Sequence, residues 1–437
     1  MTERWPREHL LRRTLLKQMT IGGLTAMSPV SFAEGPKDMN AQFDADLSSL
    51  AAFGILRSGG AGDEACGNWI GQRLEKAGFK IGEQAFSVPW FKAEQAVLSV
   101  GEATLPVWPQ AVVTQPGPNG LVAPLGIYST DDDRSRLADV IAVVDLPYAR
   151  HSSLKQPNIL NRIRAAEEAG AKAILLVTNG PTGDPLMLNA HAETPAAQVP
   201  ICILGPSVAG PVFEAAARGD SARLMVRGQS GHRLARNIFG WRDGTGPVLV
   251  VSTPRSGWFT CIGERGPGIV SFLQLADSLP RLAGGRPVLM VATSGHEYEN
   301  LGAAEFLSAK APDPQGVELW LHLGAGFAAR NWHEAAGTLA PLDSPDPQRF
   351  LLASEGLVPV LQQAFSKLSG LRAPYELDNT AAGEVGTIVR HGYNRVFGLL
   401  GAHRFHHSPN DDLRMTNGHF IAPVVAAIQN SLKELLP

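Results

Sequence analysis

The sequence predicts an α/β fold: a mostly parallel sheet flanked by helices on both faces, with a smaller α/β unit inserted into it. Three observations lead there. From Val248 onward, short apolar runs that read as buried strands alternate with helical patterns, which argues for a largely parallel sheet covered on both faces. Between about Thr104 and Gly231, a separate series of strands and helices makes a compact unit with its own core. A His-Glu pair follows one apolar run, at the carboxyl end of a strand, where open α/β sheets build their sites.

The first element is a processing signal. Leu11-Arg-Arg-Thr-Leu-Leu-Lys17 carries paired arginines, Met19 to Val30 is modestly apolar, and Ser31-Phe-Ala33 has the small residues a signal peptidase needs. This order predicts a twin-arginine export signal over residues 1–33, cleaved after Ala33, and a periplasmic or secreted protein. The apolar stretch is too short and Gly-rich for a permanent span, so no membrane span is expected in the mature chain.

Three blocks follow. In the first, the loop Arg57 to Asp63 leads into a helix over Asp63 to Gly78, with Cys66, Ile70, Leu74 and Ala77 on one face, and Phe79 to Val88 alternates as a strand. The second block opens with the Pro/Gly-rich passage Pro106 to Pro124. It continues with strand Val140 to Val144, helix Ile159 to Ala169 stopped by Gly170, strands Ala173 to Val177 and Val199 to Leu204, and helix Ser207 to Arg218. The third block pairs strand Val248 to Val251 with helix Ile269 to Leu279, and strand Val288 to Ala292 with helix Leu301 to Ala309. Strand Val317 to Leu323, helix Gly356 to Leu368, strand Val396 to Leu400 and helix Phe420 to Leu436 complete it. The expected layout is therefore a main domain over residues 34–103 and 232–437, interrupted by an insertion at 104–231.

Composition narrows the partners. Lys plus Arg number 38 against 41 Asp plus Glu, a formal charge of −3, which gives no hint of nucleic acid or an anionic membrane as partner. With 44% hydrophobic and 18% charged residues, the chain can bury a large core. Its three cysteines, Cys66, Cys202 and Cys261, form no Cys-x-x-Cys pair, which argues against a disulfide framework and a thiolate zinc site.

Two segments carry chemistry. Ser294-Gly-His-Glu-Tyr-Glu-Asn-Leu-Gly-Ala303 lies between a strand and a helix, and Phe405-His-His-Ser-Pro-Asn-Asp-Asp412 lies far downstream. A carboxylate at a strand end can ligate a metal while its neighbour acts as a base. His403, His406 and His407 are adjacent enough that any of them can be the functional one. His151, His191 and His232 read as solvated loop residues, and His333 as a possible pocket residue.

With these elements in order, the chain resembles the zinc-dependent aminopeptidases that include bacterial leucyl aminopeptidases and glutamate carboxypeptidase. Arg57-Ser-Gly-Gly through Leu74-Glu-Lys-Ala-Gly-Phe79 resembles the family's opening loop and helix. Val140 to Val144 with Ala165-Ala-Glu-Glu-Ala-Gly-Ala-Lys-Ala-Ile-Leu-Leu-Val177 resembles a protease-associated domain. The resemblance implies a zinc-exopeptidase-like fold acting on a peptide or small amide substrate.

The metal pattern departs from that family. Its His-x-Asp is replaced by Ser252-Thr-Pro-Arg-Ser-Gly257, and its bridging Asp by Glu264 in Gly263-Glu-Arg-Gly-Pro-Gly268. Its Glu-Glu-x-Gly-Leu-x-Gly reads His296-Glu-Tyr-Glu-Asn-Leu-Gly302, its strand-end Asp aligns with His322, and its final His is kept as His407 before Ser-Pro. The resemblance then implies one zinc ion on Glu264, Glu297 and His407, with His322 as a fourth ligand and His296 as the general base. Thr253 and Arg255 would fill the place of the lost metal, with Arg255 and Trp258 available to bind substrate. Two alternatives remain open: a catalytically inactive member that binds a peptide or small molecule, and a hydrolase using Cys261.

Overall fold

The computed structural model describes residues 39–128, 134–378, 381 and 383–436. Arg12, Arg13 and the predicted cleavage site lie outside them. The core of the main sheet consists of four parallel strands in the order Val396–Gly401, Val317–Leu323, Val248–Pro254 and Val288–Thr293. Antiparallel Arg349–Ala353 flanks the Val396–Gly401 side, and antiparallel Ser221–Arg242 flanks the Val288–Thr293 side.

These runs are continuously apolar because both faces are covered. Leu249 and Val251 pack with helices Met39–Ala52, Ile262–Leu282 and Gly418–Leu435 through Leu47, Phe272 and Val425. Val250, one residue out of phase, joins Phe306, Trp320 and Ile388 on the opposite face. There the covering helices are Leu301–Ala309 and Gly383–Arg390.

A long antiparallel ribbon, Lys80–Val100 with Ser221–Arg242, joins the main sheet to the second block. Near one end, residues 238–242 pair with 288–292, and at the other end 221–224 pair with 121–124. The step expected between residues 231 and 232 thus falls inside one continuous strand. Ile141–Tyr148 and Ala173–Asn179 lie side by side and parallel, and Ile201–Leu204 is parallel to the latter. Leu175, Leu204 and Val212 belong to a separate apolar cluster on one face of this sheet. On the other face, Val144, Ile163 and Leu188 share a cluster with Trp258, Phe259 and Tyr298 from the main domain. The second block therefore packs directly onto the loops at the strand ends.

One helix differs from its expectation in a way that matters. The pattern predicted a start at Ile269, but the helix runs Ile262–Leu282 with Pro267 and Pro280 inside it. Pro267 and the neighbouring glycines look like a loop in sequence. The first turn is held instead from outside: Asp411 accepts the backbone N–H groups of Gly263 (2.6 Å) and Glu264 (3.0 Å). This long-range cap satisfies donors that a helix start leaves free, and it places Glu264 on the helix. Among the described residues, no helix is long and apolar enough to cross a membrane.

Candidate active site

The turn after strand Val288–Thr293 is built to hold a side chain over the sheet. Gly295, Glu299 and Asn300 all have left-handed backbone, with φ of 77°, 55° and 64°. Gly302 allows the turn to close, because a Cβ there would meet Ser294 O at 2.0 Å. Backbone N–H groups of Ser294, Gly295 and His296 donate to Asn237 Oδ1, Ser58 Oγ and Ser256 Oγ.

His296 and His322 line a common cleft of ≈ 210 Å³, as their sequence positions suggested. Glu384, His406 and His151 also line it. His296 Nδ1 lies 3.3 Å from Glu384 Oε1, and Thr293 Oγ1 donates to both Glu384 oxygens at 2.9 and 3.0 Å. Burial raises the Glu384 pKa, opposed by His322 and by the Thr293 hydrogen bond. Burial, followed by the charge of Arg265, holds His296 well below its usual value. Burial likewise brings His322 down to about 4. Its Nδ1 lies 3.0 Å from Ser252 Oγ, which accepts the Trp320 indole N–H.

Glu264 and His407 also come together. His407 Nε2 lies 3.4 Å and His406 Nε2 3.7 Å from Glu264 Oε1, all fully or almost fully buried. Arg265 Nη2 lies 2.6 Å from the same oxygen. Burial would raise the Glu264 pKa, but Arg265, His406 and His407 overcome it and hold the carboxyl well below its usual range. Behind the cluster, His403 Nε2 stands 3.4 Å from Asp411 Oδ2.

Four residues expected at the site, Glu297, Arg255, Thr253 and Trp258, have other partners. Glu297 does not turn toward Glu264: its oxygens accept Ser58 N–H and Ser256 Oγ–H, each at 2.8 Å, so both have protein partners. The reason is local, since neighbouring side chains on a tight turn diverge and His296 takes the cleft side. Arg255 does not face a substrate either. It is buried, 3.1 Å from Asp63 Oδ1, and donates to the carbonyls of Ala292 and Arg236. Thr253, expected beside it, donates to Leu323 O at 2.8 Å. Trp258 is buried against Tyr298, and its N–H donates to Asn189 Oδ1, so it supports the cleft wall through Asn189.

Sequence reasoning did not single out Glu384, Arg265, Asp411 or His151 for the site. Glu384 sits in the motif-free stretch Ala381-Ala-Gly-Glu-Val385. His151 comes from the second block, yet its ring centroid is 5.4 Å from that of His406 and 5.0 Å from that of His407. Only the tertiary fold brings these groups together.

No protein-family model and no curated protein matches the sequence. Solved structures do match. A zinc aminopeptidase from Bacillus subtilis superposes with a TM-score of 0.71 at 15% identity, covering 90% of this chain and 95% of that one. A peptidase M28 precursor from Shewanella amazonensis gives 0.71 at 17% identity, covering 92% and 94%. An aminopeptidase from Aneurinibacillus sp. strain AM-1 gives 0.65 at 13% identity, covering 90% and 92%. The chain has the zinc-aminopeptidase fold.

Whether a chain with the zinc-aminopeptidase fold can hold an ion is decided by its own donors. Met187 O, which can only accept, lies 2.8 Å from His407 Nδ1, so Nδ1 carries a proton and Nε2 is the ring nitrogen that faces Glu264. Among the described residues, Glu264 Oε1 has the Arg265 ion pair and neither carboxylate oxygen makes a well-aligned hydrogen bond. Donors on one tetrahedral zinc, bound at about 2.0–2.1 Å, stand roughly 3.4 Å apart, which matches the His407 spacing. His151, His406 and His407 also present ring nitrogens within 4.8 Å of one another. These residues fit one ion, with His406 and His151 in the places expected for Glu297 and His322; His322 lines the cleft with its Nδ1 3.0 Å from Ser252 Oγ. Cys261, Glu264 and Asp411 form a second close group, but Asp411 is committed to the helix cap and burial pushes the Cys261 thiol well above its usual pKa.

Proposed function

We propose that this chain hydrolyses peptide or amide bonds with one divalent ion, zinc, held by Glu264, His407 and His406 with His151 at the mouth. The observation that carries the reading is the buried Glu264 carboxylate with His407 Nε2 and His406 Nε2 at 3.4 and 3.7 Å from one of its oxygens. Imidazole and carboxylate suit zinc, and the solved structures sharing this fold include zinc aminopeptidases. When bound, such an ion supplies an acidified water and a polarised carbonyl.

The chain's own residues do the rest. Glu384 accepts the Nδ1 proton of His296 and leaves Nε2 as a proton acceptor in the cleft. Thr293 orients Glu384 in turn. Burial keeps His296 neutral, so its lone pair is available without a prior deprotonation. The enclosing second block, through Met187, fixes the His407 tautomer. We read this block as a protease-associated insertion and the Arg12-Arg13 segment as an export signal. Arg12→Lys with Arg13→Lys is expected to leave precursor in the cytoplasm, and unchanged export would contradict that part.

The test is hydrolysis of aminoacyl anilides by purified protein. His296→Ala and Glu384→Gln are expected to lower kcat by about 10²–10⁴-fold, the usual size of general-base catalysis, while bound metal stays at the wild-type level. Wild-type rates in both variants would reject the dyad. One observation favours a second reading. Arg265 lies 2.6 Å from Glu264 Oε1 and supplies a positive charge of the chain's own. A protein that binds peptide without metal or hydrolysis would use that pair alone, and would show neither activity nor stoichiometric zinc.

A further inference from the structure

A second cavity, of ≈ 250 Å³, lies between the long ribbon and the loop before helix Ala61–Lys76. Its walls are apolar at Pro89, Phe91, Ala111, Val112 and Val113. Its basic side is unusual. Arg57 and Trp90 line it, and two guanidinium groups stand against the Trp90 ring, Arg57 Cζ 4.8 Å and Arg233 Cζ 3.9 Å from its centroid, Arg233 following the lining residue His232. Arg57 donates to Phe91 O and, at 3.4 Å, to Tyr298 Oη, while Arg233 makes one long contact with Gly59 O. All of these partners are neutral. Among the described residues no carboxylate lines the cavity, and its basic lining residues are Arg57 and His232. Two buried donors that border it, Arg57 Nε and Trp90 Nε1, have no hydrogen-bond partner among the described residues.

Buried donors without acceptors are uncommon in folded proteins and invite explanation by an absent acceptor. Arg57 on the wall, with Arg233 beside its Trp90, sets the charge, since Arg pairs with carboxylates through charge-assisted hydrogen bonds. The apolar walls set the rest of the ligand, and the volume limits it to one ring or one branched chain. We propose that this cavity is a binding site for a small carboxylate with an apolar body, either a free organic acid or the carboxyl end of a peptide with an apolar last residue. The site is separate from the His296 cleft and does not depend on the hydrolase reading.

Calorimetric titration of the purified full chain with 3-phenylpropionate tests it, with neutral 3-phenylpropionamide as the control. Saturable one-to-one binding is expected, at least tenfold weaker for the amide. Arg233→Gln, an exposed change, is expected to weaken binding at least tenfold, and Val113→Phe to abolish it by filling the cavity. Glu264→Gln should bind as the wild type does, because the carboxylate does not sit on a metal. N-acetyl-Gly-Phe binding more tightly than 3-phenylpropionate would identify a peptide end as the natural source, and the reverse a free acid. Equal affinity for acid and amide, wild-type affinity in Arg233→Gln and Val113→Phe, or loss of binding in Glu264→Gln would each overturn the proposal.

Discussion

Two buried charged clusters stand near the carboxyl ends of the same strands, and they differ in one respect. Around Asp63, Arg255 and Glu297 the charges meet protein partners: Arg255 has Asp63 and two carbonyls, and Glu297 has Ser58 and Ser256. Around Glu264 the partners are an ion pair and imidazoles: Arg265 lies 2.6 Å away, and the Nε2 atoms of His407 and His406 face the same oxygen at 3.4 and 3.7 Å, with His406 Nδ1 unpaired among the described residues. A buried charge with its partners in place is architecture. A buried carboxylate that shares one pocket with several imidazole nitrogens has, besides its ion pair, donor atoms that can close on a metal. Both clusters contain a glutamate that resembles a metal ligand in sequence, and only the surroundings separate them.

The largest stability effect is expected in the satisfied cluster. Arg255→Met leaves Asp63 buried and unpaired, and should cost about 3–5 kcal/mol in urea unfolding. A loss under about 1 kcal/mol would mean that the pair does not carry the local fold.

Acid should act next, through the buried histidines of the cleft and of the Glu264 cluster. His322 is lowered from 6.5 to about 4 by burial, and His296 and His406 are lowered further below the usual value. Below pH 6.5 the unfolded chain takes up protons that the native histidines refuse, so stability falls as pH drops through the window from 6.5 toward 4. From His322 alone the loss by pH 5 is about 2 kcal/mol. A Tm that is flat between pH 7 and pH 5 would contradict the neutral, buried placement.

The smallest expected effect is that of thiol reagents. Burial pushes Cys66 and Cys202 up to about 12 and Cys261 well above its usual value. All three are buried, so iodoacetamide at pH 8 should label them only after unfolding and leave any hydrolysis intact. Rapid native labelling of Cys261 with loss of activity would favour a cysteine hydrolase.

The same comparison explains what could be read from the sequence. Continuous apolar runs marked the parallel strands, and Val317 to Leu323 was placed to the residue, because burial on both faces leaves little choice of residue type. His296, His322, His407 and Glu264 were legible as residue types at strand ends. The direction of a side chain was not: adjacent His296 and Glu297 diverge on a turn whose left-handed φ values no local pattern announces at Glu299. Pro267 concealed the first turn of the helix bearing Glu264, because its capping group, Asp411, is supplied 147 residues later. Glu384 and His151 belong to segments that meet the cleft only after the sheet and second block are assembled.

Metal content of protein purified without chelator tests the central claim most directly, with Glu264→Gln and Glu297→Gln measured beside the wild type. One zinc per chain is expected in the wild type and in Glu297→Gln, which should lose stability instead, and none in Glu264→Gln. A metal-free wild type would contradict the account, and so would zinc that survives Glu264→Gln but disappears in Glu297→Gln.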